Sequence, residues 1–324
     1  MPPSQRKGKP EAAESKWSGN VTFVATTSFS YMPTSSTESI RVNARGVEFH
    51  CLTMGSGPLA LLLHGFPDSA RSWIPLMQRL ADSGWRAVAP YMRGYAPTAV
   101  PDDGCFQTAA LAADAVALHE ALGGDADAVI IGHDWGAPAT YGAALLAPDR
   151  WRRVVGMAVP PGAALGAALV GNLAQLKRSW YMFFFQHPLS DLVVAANDLA
   201  YIDMLWADWS PGFDGGEAVA ATKEALRDPA NLAAALGYYR ATLGEGKKDP
   251  ALADLQARMG AEVPTQPLLY LHGANDGCIG REVAEFAAGM SPSNVDVRIV
   301  EGAGHFLQLE QSDAVARHVL GWIS

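Results

Sequence analysis

The sequence predicts an α/β fold: a doubly wound, mostly parallel central sheet flanked by helices, with a helical segment inserted late in the chain. Three observations predict it. From Ser39 onward, short apolar runs alternate with segments of helical length. Several runs, Leu59–Leu63 first among them, are apolar without a break, as a strand covered on both faces requires. The alternation stops at Pro160 and resumes only at Pro267.

In chain order, residues 1–37 hold Pro2, Pro3, Lys7, Lys9 and Pro10, then a Ser/Thr cluster, and read as a flexible tail. They lack the apolar stretch of a secretory signal peptide. Ile40–Asn43 and Gly46–Met54 read as a hairpin turning at Arg45-Gly46. Leu59–Leu63, Trp85–Ala89, Ala128–Ile131 and Val154–Val159 read as buried strands, separated by helices over Arg71–Ser83, Phe106–Leu122 and Ala137–Leu146. The stretch from Pro160 to Pro264 has no clear strand and is rich in aromatic residues, among them Trp180, Tyr181, Phe183–Phe185, Trp206, Trp209, Tyr238 and Tyr239. A strand at Pro267–His272, a helix from Arg281, a strand at Val295–Val300 and a helix over Ser312–Trp322 close the pattern. The expected organisation is a core domain of residues 38–160 and 265–324, with residues 161–264 as a helical cap. Such a cap would cover the carboxyl ends of the strands, where open α/β sheets bind ligands.

Composition narrows the class. At 49% apolar and 18% charged residues, the 324-residue chain can bury a core. Its net charge of −9, without a basic stripe, argues against nucleic acid or an anionic membrane as a partner. Cys51, Cys105 and Cys278 lie far apart, which excludes a disulfide framework and a cysteine zinc site and suits a reducing, cytoplasmic setting. No run reaches the roughly 18 apolar residues of a membrane span; Val154–Gly171 is broken by Pro160-Pro161. There is no HExxH and no suitably placed GxGxxG, so neither metal nor nucleotide cofactor is predicted. His119 and His318 fall on helices and are expected at the surface, and a homodimer is left open.

The chemistry concentrates in Gly132-His133-Asp134-Trp135-Gly136, between a strand and a helix. Small residues flanking such a turn hold the middle side chain exposed at a helix N-terminus, the shape of a nucleophile elbow. The middle residue is Asp134. Asp is also an ordinary helix N-cap, but a carboxylate here is a competent nucleophile toward an sp³ carbon bearing a leaving group, such as an epoxide or an alkyl halide. The resulting ester would then be cleaved by water. His64-Gly65-Phe66-Pro67 follows the first buried strand and can turn the Phe66 N–H toward the nucleophile; with the Trp135 N–H it would form an oxyanion hole. Asp276 and His305 each follow a late strand, and the order nucleophile, acid, histidine suits a triad in which Asp276 orients His305 and His305 activates water. The loop Pro160-Pro161-Gly162 offers no carboxylate, and Asp296 and Glu301 are worse placed.

With HGFP, GHDWG and the late Asp and Gly-His loop in view, Ile40–Trp322 resembles the epoxide hydrolase branch of the α/β-hydrolase family. The resemblance implies an α/β-hydrolase fold with an inserted cap and cofactor-free conversion of apolar aryl or alkyl epoxides, with water, to vicinal diols. It also implies two cap tyrosines that bind and protonate the epoxide oxygen. Ser179–Pro188 resembles the first tyrosine segment and assigns that role to Tyr181; Gly237-Tyr238-Tyr239-Arg240 resembles the second and assigns Tyr239, with Tyr238 pointing elsewhere. Phe183–Phe185 are expected in the cap core. HGFP and GHDWG also occur in haloalkane dehalogenases, but those usually carry Asn where this chain has Phe66. Fluoroacetate-type enzymes resemble Asp-Arg at the elbow, where this chain has Trp135. A dehalogenase, or a cofactor-free oxygenase or luciferase-like protein, is the alternative. In the loop Arg93–Thr98, Ala96 and Thr98 depart from the Gly and Ser more usual in the family.

Overall fold

A computed structural model describes residues 36–324. The expected N-terminal tail lies outside the described residues but for its last two. Strands β1 (Glu38–Ala44), β2 (Val47–Met54) and β3 (Leu59–Leu63) come first, then helix α1 (Ile74–Asp82), β4 (Arg86–Pro90), α2 (Thr108–Ala121), β5 (Val129–His133), α3 (Gly136–Leu146) and β6 (Arg153–Met157). Seven helices follow without a strand: α4 (Ala164–Gly171), α5 (Leu173–Arg178), α6 (Trp180–Phe184), α7 (Leu189–Trp209), α8 (Gly216–Leu226), α9 (Pro229–Leu243) and α10 (Ala253–Met259). The chain closes with β7 (Leu268–Gly273), α11 (Arg281–Met290), β8 (Val295–Val300), α12 (Leu307–Glu310) and α13 (Ser312–Ile323).

The eight strands form one sheet in the order β1-β2-β4-β3-β5-β6-β7-β8. β2 runs antiparallel to β1 and β4, and all the other pairs are parallel. The unbroken apolar run of β3 is explained by its two faces. Leu59, Leu61 and Leu63 enter one apolar layer, while Ala60 and Leu62 enter the layer on the opposite side. Each fully buried leucine contributes on the order of 1.5–3 kcal/mol. With strand period two, no polar position remains.

The expected strands and helices fall within a residue or two of these bounds, except that α1 begins three residues later than expected, after a 3-10 turn over Ala70–Trp73, and three finer expectations are corrected. His119 is buried, not exposed: the turn after α2 folds back over the ring, whose Nε2 lies 3.0 Å from the Asp125 carbonyl and whose edge meets Trp151. His318 is half-buried beside Arg298, and burial together with that cation lowers its pKa. Phe183 is 55% exposed while Phe185 is fully buried, because successive helical residues point about 100° apart and cannot share a face. Among the described residues no helix is long and apolar enough to cross a membrane.

Candidate active site

β5 ends at His133, and Asp134 takes a left-handed conformation (φ 51°) before α3 begins. That conformation is uncommon for a residue other than glycine. It is held by close backbone packing: a Cβ on Gly132 would lie 2.1 Å from the Gly136 carbonyl oxygen, and one on Gly136 only 2.0 Å from that of Leu63. The two glycines of GHDWG are therefore required where they stand.

Asp134 Oδ1 accepts the Phe66 N–H at 2.6 Å. Gly65 makes room for this approach, since a Cβ there would lie 2.2 Å from Asp134 Oδ1 and 2.4 Å from Trp135 N. Both amides named from the sequence therefore stand close to one carboxylate, and the hydrogen bond to it comes from Phe66. Asp134 Oδ2 lies 3.6 Å from His305 Nε2, and His305 Nδ1 lies 3.0 Å from Asp276 Oδ2. The other Asp276 oxygen accepts the N–H groups of Cys278 and Ile279. Three side chains from loops after β5, β7 and β8 thus meet in one row, almost wholly buried.

The electrostatics follow from that burial. Burial opposes a charge on His305, but the carboxylates of Asp276 and Asp134 outweigh it and push its pKa up to about 10. Burial likewise works against the Asp276 carboxylate, yet His305 and the loop amides hold it below its ordinary value.

The inserted helices close the site. Tyr181 of α6 and Tyr239 of α9 line a cavity of about 330 Å³ together with Asp134 and Trp135, a size within the range of small-molecule pockets. Their ring centroids are 5.7 Å apart, edge to face, and the Tyr239 ring also meets Trp135 and Phe66 edge-on. Among the described residues the buried Tyr239 O–H finds no acceptor, whereas the Tyr181 hydroxyl lies 3.2 Å from Cys278 Sγ. Burial pushes both phenols well above their ordinary pKa, so both stay protonated donors. Tyr238 points away, donating to the Arg93 carbonyl at 2.8 Å. Thr98 serves the loop in which it departs from the usual Ser: its hydroxyl donates to the Tyr91 carbonyl and accepts the His50 N–H. Asp296 and Glu301 are engaged elsewhere, with Arg298 and Arg281.

Sequence reasoning missed what holds these loops in place. The end of α7 fastens three of them. Trp206 Nε1 donates to the Pro67 carbonyl, and the Trp206 ring stacks on Phe306 at 3.5 Å. The Trp209 carbonyl accepts the N–H groups of both Gly277 and His305, each at 3.0 Å. Ser210 Oγ accepts the Phe306 N–H and donates to Glu310, whose other oxygen accepts the Gly304 N–H. Beneath the HGFP loop, Asp68 is fully buried and accepts from Ser69 N, Ser72 Oγ and Gln308 Nε2. Much of this runs through backbone atoms, which leave no signature in side-chain spacing.

Asp276, Cys278 and His305 also bring three metal-ligating atoms within 4.8 Å of one another. Their chemistry does not suit a metal. The Asp276 oxygens are already taken by His305 and two amides. Burial keeps the Cys278 thiol protonated, and a thiol is a poor ligand beside a thiolate.

Comparison with known proteins places the chain in a class. Residues 58–312 match the family model of the alpha/beta hydrolase fold, and the chain belongs to that family. Within it, the chain is similar to an epoxide hydrolase of Caballeronia sordidicola, 29% identical over 87% of this chain and 92% of the relative. It is also similar to human epoxide hydrolase 4, 28% identical over 85% of this chain and 75% of the relative. Among solved structures, an epoxide hydrolase from an endophytic Streptomyces superposes with a TM-score of 0.72 at 27% identity, covering 89% of this chain and 95% of that one. The resemblance read from HGFP and GHDWG and the comparisons point to the same branch.

Proposed function

We propose that this chain is an epoxide hydrolase that converts apolar aryl or alkyl epoxides to vicinal diols through an ester on Asp134, with residues 161–264 acting as its cap domain. The observation that carries this reading is the pairing of a buried carboxylate with two buried phenols across one cavity, one phenol having no acceptor among the described residues. A carboxylate can open the ring only if the departing oxygen is stabilised and protonated, and phenols that remain neutral supply that donor.

In the first step Asp134 Oδ2 attacks a ring carbon, the carbon–oxygen bond breaks, and its electron pair goes to the oxygen held by Tyr181 and Tyr239. Charge balance then involves His305. It starts as an imidazolium between two carboxylates; once Asp134 is a neutral ester, one of those carboxylates is gone and the ring becomes more acidic. The phenol protonates the alkoxide and is reprotonated at the expense of the imidazolium, which leaves His305 neutral. In the second step His305, oriented by Asp276, takes a proton from water, and the hydroxide attacks the Asp134 carboxyl carbon. The charge developing on Oδ1 sits against the Phe66 and Trp135 amides. Collapse releases the diol and restores both the carboxylate and the imidazolium. No cofactor enters the scheme.

The test supplies purified protein with styrene oxide and a bromoalkane side by side and scores diol and bromide. Diol without bromide is expected, falling by about 10⁴-fold or more in Asp134→Ala. Bromide without diol would move the activity to dehalogenation and reduce both tyrosines to packing.

A further inference from the structure

The cavity has a second polar end that the scheme above does not use. Thr242 lies three residues beyond Tyr239 on α9 and lines the same cavity, roughly 4.5 Å further along the helix axis. Its hydroxyl oxygen is 3.0 Å from that of Thr108, the first residue of α2 and also part of the lining. Gln256 of α10 lines the cavity too, and its Oε1 accepts the Ala109 N–H at 2.9 Å. Since Thr242 meets Thr108 and Gln256 grips the next residue, the three side chains gather at the first turn of α2.

Their hydrogen bonds are incomplete in one direction. A backbone N–H can only donate, so the bond to Ala109 fixes which end of the Gln256 carboxamide is oxygen. Its NH₂ makes no hydrogen bond among the described residues. The two threonines satisfy each other with one hydroxyl proton, which leaves the second O–H without an acceptor among the described residues. Leu165, Leu243 and Met259 are apolar parts of the same lining, and among the described residues no Lys or Arg lines the cavity. A cluster of free donors without a cation suits an uncharged oxygen with two lone pairs; a carboxylate would share the cavity with Asp134 and have no counter-charge.

We propose that Thr108, Thr242 and Gln256 form a subsite for a neutral carbonyl oxygen carried on the substrate's chain at a distance from the oxirane ring. The subsite rests on the epoxide hydrolase reading and names its substrate class: chain epoxides bearing an ester, amide or ketone, held by the ring at one end and the carbonyl at the other.

The test compares terminal alkyl epoxides with methyl esters of epoxyalkanoic acids of equal length, moving the carbonyl one carbon at a time, with styrene oxide as the reference. At one carbonyl position the ester should show kcat/KM about fivefold above the plain chain, mainly through KM, the size of one hydrogen bond. Gln256→Leu and Thr242→Val should each bring that ratio toward one. Gln256→Glu keeps an oxygen for Ala109 but replaces the free donor with an acceptor, so it should abolish the preference even if Gln256→Leu fails to fold. No ester preference at any carbonyl position, or a preference that survives Gln256→Glu and Thr242→Val, would overturn the subsite while leaving epoxide hydrolysis on styrene oxide intact. No diol from styrene oxide or any chain epoxide would instead remove the epoxide hydrolase reading, and the subsite with it.

Discussion

On the sheet side of the cavity, Asp134, Asp276 and His305 are held by backbone amides and by one another. On the side of the inserted helices, and among the described residues, the Tyr239 O–H finds no acceptor and the Tyr181 hydroxyl meets a thiol. The difference follows from what each side is proposed to do. Buried charges are tolerable only when partnered, so the strand-end loops hold theirs before any ligand arrives. Neutral phenols cost far less to leave waiting, and their unused hydrogen-bonding capacity is what a ligand oxygen can take up.

If the sheet side performs covalent chemistry in two steps, removing the base should separate those steps. His305→Gln is expected to lose turnover by about 10³- to 10⁴-fold while still reacting once. Intact mass spectrometry should then show protein heavier by one epoxide. Steady-state activity equal to the parent's would end the role given to His305. On the helical side the expected effect is smaller and falls on the first step. Tyr181→Phe or Tyr239→Phe should each cost about 10²-fold in the alkylation rate, and the double variant much more, as pre-steady-state quenching would measure. If Tyr181→Phe alone had no effect, its contact with Cys278 would be packing only.

The comparison can also be sharpened by pH. The folded state raises the His305 pKa from 6.5 to about 10, so it binds that proton more tightly than the unfolded chain does. The resulting stabilisation is fully present below pH 6.5 and is lost as pH rises toward 10. The difference in melting temperature between the parent and His305→Gln should therefore shrink across that interval. In Asp134→Asn one of the two carboxylates is gone, and the loss should occur at lower pH. The phenols, whose ordinary pKa is already 10 and which burial raises further, should contribute such a slope only above that interval. A difference that is flat from pH 6 to 10 would contradict the charged ring.

How much of this was legible in the sequence divides along the same line. Leu59–Leu63 is a strand with the expected bounds because a parallel strand buried on both faces writes itself as an uninterrupted apolar run, and Val295–Val300, a half-buried edge strand, because its apolar positions recur with the strand period of two. Gly132 and Gly136 marked the elbow because only glycine fits against the neighbouring carbonyl oxygens. In the inserted segment the helices were legible only as a group. Their apolar positions face a cavity, helices of the core and one another, so no single stripe emerges, and Phe183 was placed in the core on composition alone. The turn of α7 is a further case. Ala196 is extended, and Asn197, Asp198 and Leu199 are left-handed inside an apparently continuous helical pattern; Leu at such a position gives no warning. His119 misled for the opposite reason: its acceptor, the Asp125 carbonyl, is supplied by a turn that side-chain spacing does not reveal.

The smallest predicted effect sits where the two regions join. Ser210, at the end of α7, is 1% exposed and ties the His305 loop through Phe306 N and Glu310. Ser210→Ala removes both bonds but spares the Trp209 carbonyl that holds His305 N and Gly277 N. The expected cost is about 1–3 kcal/mol of stability, read as a fall of a few degrees in melting temperature. If Ser210 positions His305, the ester-hydrolysis rate should drop several-fold while the alkylation rate set by Asp134 and the tyrosines holds, and Ser210→Thr should restore part of it. A purely structural role would lower the melting temperature and leave the ratio of the two rates unchanged. The inserted helices would then roof the site without setting the geometry of the base.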